Sequence, residues 1–107
     1  MFKVEIIGNL GQDAKVIENS SGKSVTFSVA HSHKWTDSQN VEHQETEWFS
    51  CFLRGDGGGL LQYLKTGQQV FVRGDGRLQM WEDRNHYQRP GCDIRVSEIQ
   101  LCGSKNS

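Results

Sequence analysis

The 107-residue chain has one proline, and its three cysteines lie far apart. No CxxC pair exists, so neither a cysteine zinc site nor a dithiol redox motif is expected. Cys51, Cys92 and Cys102 read as free thiols, buried or half-buried. No signal peptide or long apolar run is found, so the chain reads as a soluble protein of a reducing compartment, cytoplasmic and without a membrane span. An organellar origin stays open. Basic charge is not in excess: 12 Lys and Arg stand against 13 Asp and Glu, for a net charge of −1. That near-neutral balance counts against a simple nucleic-acid reading, and what matters is where the basic residues lie rather than their sum. The length suits one domain and is too short for two.

Twelve glycines and three tryptophans are what the chain does have. The glycines point to tight turns, bulges and a curved sheet. Each tryptophan has polar or charged neighbours: Lys34-Trp35-Thr-Asp, Thr-Glu47-Trp48-Phe and Gln-Met-Trp81-Glu-Asp-Arg84. Indoles that face water beside cations can stack on unpaired bases.

Alternation of apolar residues predicts a strand over Phe2–Asn9, bent by Gly8-Asn9-Leu10-Gly11 and resumed over Ala14–Glu18. A second strand is expected over Ser24–His31 and a third over Glu47–Leu53. Residues 36–45 lack apolar periodicity and read as a loop. After Gly55–Gly59, Leu60, Leu61 and Leu64 have helical spacing, and Thr66-Gly67 ends a short helix. Gln69–Gly74 is a fourth strand. Residues 77–81 and 86–88 flank a hairpin through Glu82–Asn85. The last strand, Cys92–Leu101, changes apolar parity between Val96 and Ile99, which predicts a bulge. Three strands, a short helix and two strands give the element order of a five-stranded OB barrel, an all-β fold with one short helix. The domain is expected over residues 1–103, followed by a short polar tail, 104–107.

Enzyme readings fail on their spacing. Gly55–Gly59 lacks the Gly-Lys-Ser/Thr ending of a phosphate-binding loop. His31 and His33 share a strand face, but no acidic or cysteine partner stands near them in sequence, so no metal site is expected. Glu45 and Glu47 share a face with no nucleophile or metal motif beside them. No catalytic residue and no cofactor is assigned.

Four segments carry a family likeness. Val4-Glu-Ile-Ile-Gly8-Asn9-Leu10-Gly11-Gln12-Asp13 resembles the opening strand and turn of bacterial single-stranded DNA-binding proteins. Thr46-Glu47-Trp48 resembles their third-strand motif, and Tyr63-Leu64-Lys65-Thr66-Gly67-Gln68-Gln69-Val70-Phe71-Val72-Arg73-Gly74 their helix end and fourth strand. Trp35 and Trp81 fall where that family keeps stacking aromatics. The likeness runs from Phe2 to Gly103. A lone Gly-Asn-Leu-Gly would say little, but four motifs in the right order are specific.

The resemblance implies an OB fold, a homotetramer and sequence-tolerant binding of single-stranded DNA in replication, recombination and repair. It assigns stacking to Trp35, Trp48 and Trp81. A fourth stacking aromatic usually lies six residues after the third-strand tryptophan, and here that position is Arg54, whose guanidinium can stack or meet a phosphate. Lys3, Lys34, Arg73, Arg77 and Arg84 are the further phosphate candidates, Lys34 favoured because it adjoins Trp35. Phe71 reads as core or subunit interface. Typical members continue into a flexible linker and an acidic tip that recruits other enzymes, whereas this sequence reaches Ser107 without one. A short form, from a mobile element for instance, and a shortened chain both fit. The alternative function is an OB-fold accessory protein of primosomes or mobile elements that is dimeric and acts mainly through protein contacts.

Overall fold

The computed structural model describes residues 1–103, so the expected tail, 104–107, lies outside the described residues. Six strands form: β1 (Lys3–Leu10), β2 (Lys15–Asn19), β3 (Gly22–Thr36), β4 (Glu42–Arg54), β5 (Gln69–Glu82) and β6 (Gln88–Leu101). The sheet order is β1-β5-β6-β4-β3-β2, and β1 also pairs with β3 through Asn9 with Ala30 and Leu10 with Val29. That extra pairing closes a ring of β1, β5, β6, β4 and β3. Since β1 and β2 both lie along the same edge of β3, they act as the two halves of one bent strand. The architecture is thus the expected OB barrel, with β4 and β6 meeting in parallel.

Alternation explains the core. Val25, Phe27 and Val29 of β3, Cys51 of β4, Val70 and Val72 of β5, and Ile94 and Val96 of β6 point inward and are buried. Leu10 and Leu64 join them. Leu64 follows a single 3₁₀ stretch, Gly58–Tyr63, which stands where the short helix was expected. Leu60 and Leu61 pack on the same cluster, so the helix acts as a plug for the barrel. The bulge is also present. Arg73 pairs with Glu98 but Gly74 pairs with Val96, which leaves Ser97 as the extra residue.

Burial pushes the Cys51 thiol up to about 12, with smaller contributions from Cys92 and Asp93. Asp13 fastens the β1–β2 bend to the end of the helix segment. It accepts hydrogen bonds from the Thr66 backbone N–H at 2.8 Å and the Thr66 hydroxyl at 3.0 Å. Those bonds hold its carboxyl below the usual value. Asp75 is lowered by Lys3, 2.6 Å away, and Asp37 chiefly by its hydrogen bond with His43. A depressed folded pKa stabilises above the unfolded value, near 4, and the contribution is lost as pH falls through the folded value. Melting temperature should therefore hold down to about pH 5 and drop below about pH 4. Asp13→Asn should melt lower at neutral pH and lose less on acidification. Equal acid losses in both proteins would remove Asp13 from this account.

The expected loop over residues 36–45 is the main departure in the fold. β3 and β4 continue as a two-stranded ribbon, paired residue by residue to Thr36 and Glu42. Beyond the barrel both faces of this ribbon meet water, so apolar periodicity is absent although the ladder persists. Only Asp37–Val41 turns. Asp37 Oδ1 accepts from the N–H groups of Gln39 and Val41, and Asn40 takes the left-handed conformation. The β5–β6 arm is built the same way. Asp83 Oδ1 accepts from Asn85 and Tyr87 N–H, and His86 is left-handed. Thus β5 and β6 extend well past Gly74 and back before Cys92, and they carry Trp81 out from the barrel.

Candidate nucleic-acid interface

All three indoles are half exposed: Trp48 by 56%, Trp81 by 53% and Trp35 by 43%. None belongs to the buried core.

Trp48 points outward from β4, opposite Ala30. Its ring lies over Gly11, where an added β-carbon would come within 2.5 Å of it. Only glycine leaves the indole room to lie flat on the β1–β2 bend. Trp81 sits on the other arm with its ring over Gly91. Trp48 and Trp81 line one groove between the two arms, together with Leu78, Pro90 and Cys92. Leu78 is 70% exposed, so the groove floor is open and apolar.

Side chains alternate along β4, so Trp48, Ser50, Phe52 and Arg54 share a face. Phe52 is 39% exposed and is paired with Arg95 of β6. Phe52, Arg77 and Arg95 border one shallow depression, with Asp75 and Asp93 beside them. Phe52 and Arg95 were not singled out in the sequence. The signal was there, because Phe52 follows Trp48 by four residues and must share its face in an unbroken strand.

Trp35 is placed differently. It continues the inward face of β3 beyond the barrel mouth, so it lies on the opposite side of the ribbon from Trp48. Its ring stacks between His33 and His43, with centroids 5.3 Å and 5.1 Å away. His43 in turn meets Asp37 Oδ2 at 2.9 Å. Lys34 therefore does not accompany Trp35. Adjacent strand residues point to opposite faces, and Lys34, opposite Gln44, lies on the Trp48 side.

The basic candidates divide into two groups. Lys3 is paired with Asp75 at 2.6 Å. Arg73 donates from Nε to Glu5 at 2.6 Å and from Nη1 to Glu98 at 3.3 Å. Its charge is thus balanced twice over, beside exposed Ile7 and half-buried Phe71 rather than beside the indoles. Arg54, Arg77, Arg84 and Lys34 are exposed and hold no ion pair among the described residues. Arg84 occupies the tip of the β5–β6 arm.

The expectation that His31 and His33 lack acidic neighbours does not hold. The β3–β4 register sets Glu47 opposite His31 and Glu45 opposite His33. These partners are remote in sequence and become adjacent only across the strands.

A closed OB barrel with two projecting arms, a groove of exposed aromatics and unpaired arginines defines an oligonucleotide-binding class of β-barrel protein. Comparison with known proteins narrows this. The sequence model of the single-strand binding protein family matches residues 1–102. The chain belongs to that family. It is 33% identical over 108 residues to single-stranded DNA-binding protein 1 of Chlorobaculum tepidum, covering 98% of this chain and 67% of that protein. It is also 33% identical over 106 residues to single-stranded DNA-binding protein 1 of Xylella fastidiosa, covering 96% and 78%. Among solved structures, a Plasmodium falciparum SSB in complex with single-stranded DNA matches with a TM-score of 0.75 at 23% identity, covering 96% of each chain. A small single-stranded DNA-binding protein from Streptomyces coelicolor also matches at 0.75, with 19% identity and 94% of each chain. No helix among the described residues is long and apolar enough to cross a membrane.

Proposed function

We propose that this protein binds single-stranded DNA without sequence preference, as a non-catalytic protector of exposed strands in replication, recombination and repair. The observation that carries the reading is the groove in which Trp48 and Trp81 lie half exposed, on a chain whose neighbouring depression brings Phe52 together with Arg77 and Arg95. Bases would stack on Trp48, Trp81 and Phe52, and on Trp35 where the strand passes the far side of the ribbon. Arg54, Arg77, Arg95, Lys34 and Arg84 would meet phosphates. Family membership and the DNA-binding relatives support the same reading.

Assembly is part of the proposal. Ile7, 52% exposed, and Phe71 form an apolar strip on the wall that holds Glu5, Arg73 and Glu98. This wall adjoins the indole groove at Glu47 and Phe49, which border both, and its Ile7 and Phe71 side suits contact between copies, in a homotetramer. A dimer by light scattering would favour the accessory-protein reading instead.

Titration with oligo(dT) should strongly quench tryptophan fluorescence. Absence of quenching at low salt would sink the proposal. Salt provides a second test. Each phosphate contact on a single strand adds roughly 0.7 to the slope of log affinity against log salt. Replacing Arg77 or Arg54 with Gln should lower the slope by about that much. Arg73→Gln should leave the slope unchanged, because Glu5 and Glu98 already occupy its guanidinium. Equal slope changes in all three variants would refute this division of the basic residues.

A further inference from the structure

The His31, His33, Glu47 cluster lies on the same face as Trp35, at the root of the β3–β4 ribbon, and its two histidines lie outside the groove of Trp48 and Trp81. Each of the three offers one ligand atom, and these atoms all lie within 4.8 Å of one another. His31 Nδ1 is 3.5 Å from Glu47 Oε1. His33 Nε2 is 3.8 Å from Glu45 Oε1, which brings a second carboxylate to the edge of the cluster. We propose that His31, His33 and Glu47 form a binding site for one zinc-class divalent ion, which joins β3 to β4 across the ribbon.

The geometry favours this in three ways. Residues two apart on a strand project side by side, so His31 and His33 approach an ion from one strand while Glu47 approaches from the next. Zinc bonds to nitrogen and oxygen are about 2.0–2.2 Å, which sets tetrahedral ligand atoms roughly 3.4 Å apart. The cluster is thus open by little more than 1 Å at its widest, about the reach of a side-chain rotation. Within the single chain His31, His33 and Glu47 are also 41%, 45% and 53% exposed, so their rotamers are free to adjust, although His31 and Glu47 border the depression that holds Ile7 and Phe71. Glu45 or water would fill the fourth position.

Two imidazoles with a carboxylate suit zinc, copper, nickel or cobalt ions and disfavour magnesium and calcium, which take oxygen ligands. Coordination would also fix the His33 ring. That ring is the platform on which Trp35 stacks, so ion occupancy would reach the outer indole through one contact.

Calorimetric titration of untagged, chelator-treated protein with zinc chloride tests the site. The expected result is one zinc per chain with micromolar affinity, unaffected by millimolar magnesium. His31→Ala, His33→Ala and Glu47→Gln should each weaken zinc by about tenfold or more. His86→Ala, which removes a histidine on the other arm, should not. Circular dichroism checks that each variant is folded, and His33→Gln preserves the polarity of the ribbon if the alanine variant is not. Cobalt(II) gives a separate readout: visible d–d bands of a four-coordinate site should form with the parent protein and be absent from the double variant His31→Ala/His33→Ala. No saturable zinc binding at one per chain, or binding undiminished in the double variant, would overturn the proposal. Neither outcome bears on oligo(dT) binding, which is measured in chelator.

Discussion

Replacing Trp48 with alanine is expected to weaken oligo(dT) binding by roughly 5- to 150-fold, the equivalent of about 1–3 kcal/mol for one lost base–indole stack. Trp48 is the strongest choice because three features converge on it. Its ring is held flat by Gly11, so little side-chain freedom is lost on stacking. It shares a groove with Trp81, so a strand stacked on one is aimed at the other. It also shares a strand face with Phe52 and Arg54, which continue the same track. With 56% of its surface exposed, its removal should cost little stability, and the variant should melt within a few degrees of the parent. Trp48→Phe should recover most of the affinity, since an aromatic face remains. An alanine variant that binds within twofold of the parent would show that this indole is not a stacking platform. One that unfolds would show that its contact with the β1–β2 bend is structural.

Gly8→Ala is expected to cost about 3 kcal/mol, the upper end for overpacking and a large share of the stability of a domain this size. A β-carbon at Gly8 would sit 2.2 Å from the Ala30 carbonyl oxygen and 2.7 Å from Val29 Cγ1. Real atoms do not approach so closely, so a strand must move. Neither strand is free to do so. β1 is bonded to β5 at Gly8 with Val70, and to β3 one residue later at Asn9 with Ala30. Gly8 therefore stands where the barrel closes, and a methyl group there separates β1 from β3. At about 4–8 °C per kcal/mol, the melting temperature should fall by at least 10 °C. Gly59→Ala is the control: no heavy atom lies within 4 Å of its added carbon, and its melting temperature should barely change. A Gly8→Ala protein that melts within about 2 °C of the parent would mean that the closure relaxes at little cost.

Much of this molecule could be read from the sequence, and what could not was a matter of register. The barrel strands were legible because Val25, Phe27 and Val29, or Val70 and Val72, alternate against a single core. The ribbon beyond them was not, because His31, His33, Trp35 and their partners have water on both faces and leave no apolar period to read. Pairing Lys34 with Trp35 followed proximity in sequence, whereas a strand sends neighbours to opposite sides. Phe52 has the same parity as Trp48, which places it on the outer face of β4, but a strand apolar on both faces gives no local sign of which side meets the ligand. The balance of Arg73 by Glu5 and Glu98 joins three strands, and no spacing within one segment reports it. The meeting of His31 with Glu47 likewise depends on where the ribbon turns, which Asp37 and Asn40 determine.

Cys51 gives the barrel an internal chemical clock. Only a thiolate attacks a labelling reagent, and burial holds this thiol protonated at neutral pH. The sulfur is also closed off from solvent. Alkylation of Cys51 must then wait for the wall between β3, β4 and β6 to part, so its rate measures how often the closed barrel opens.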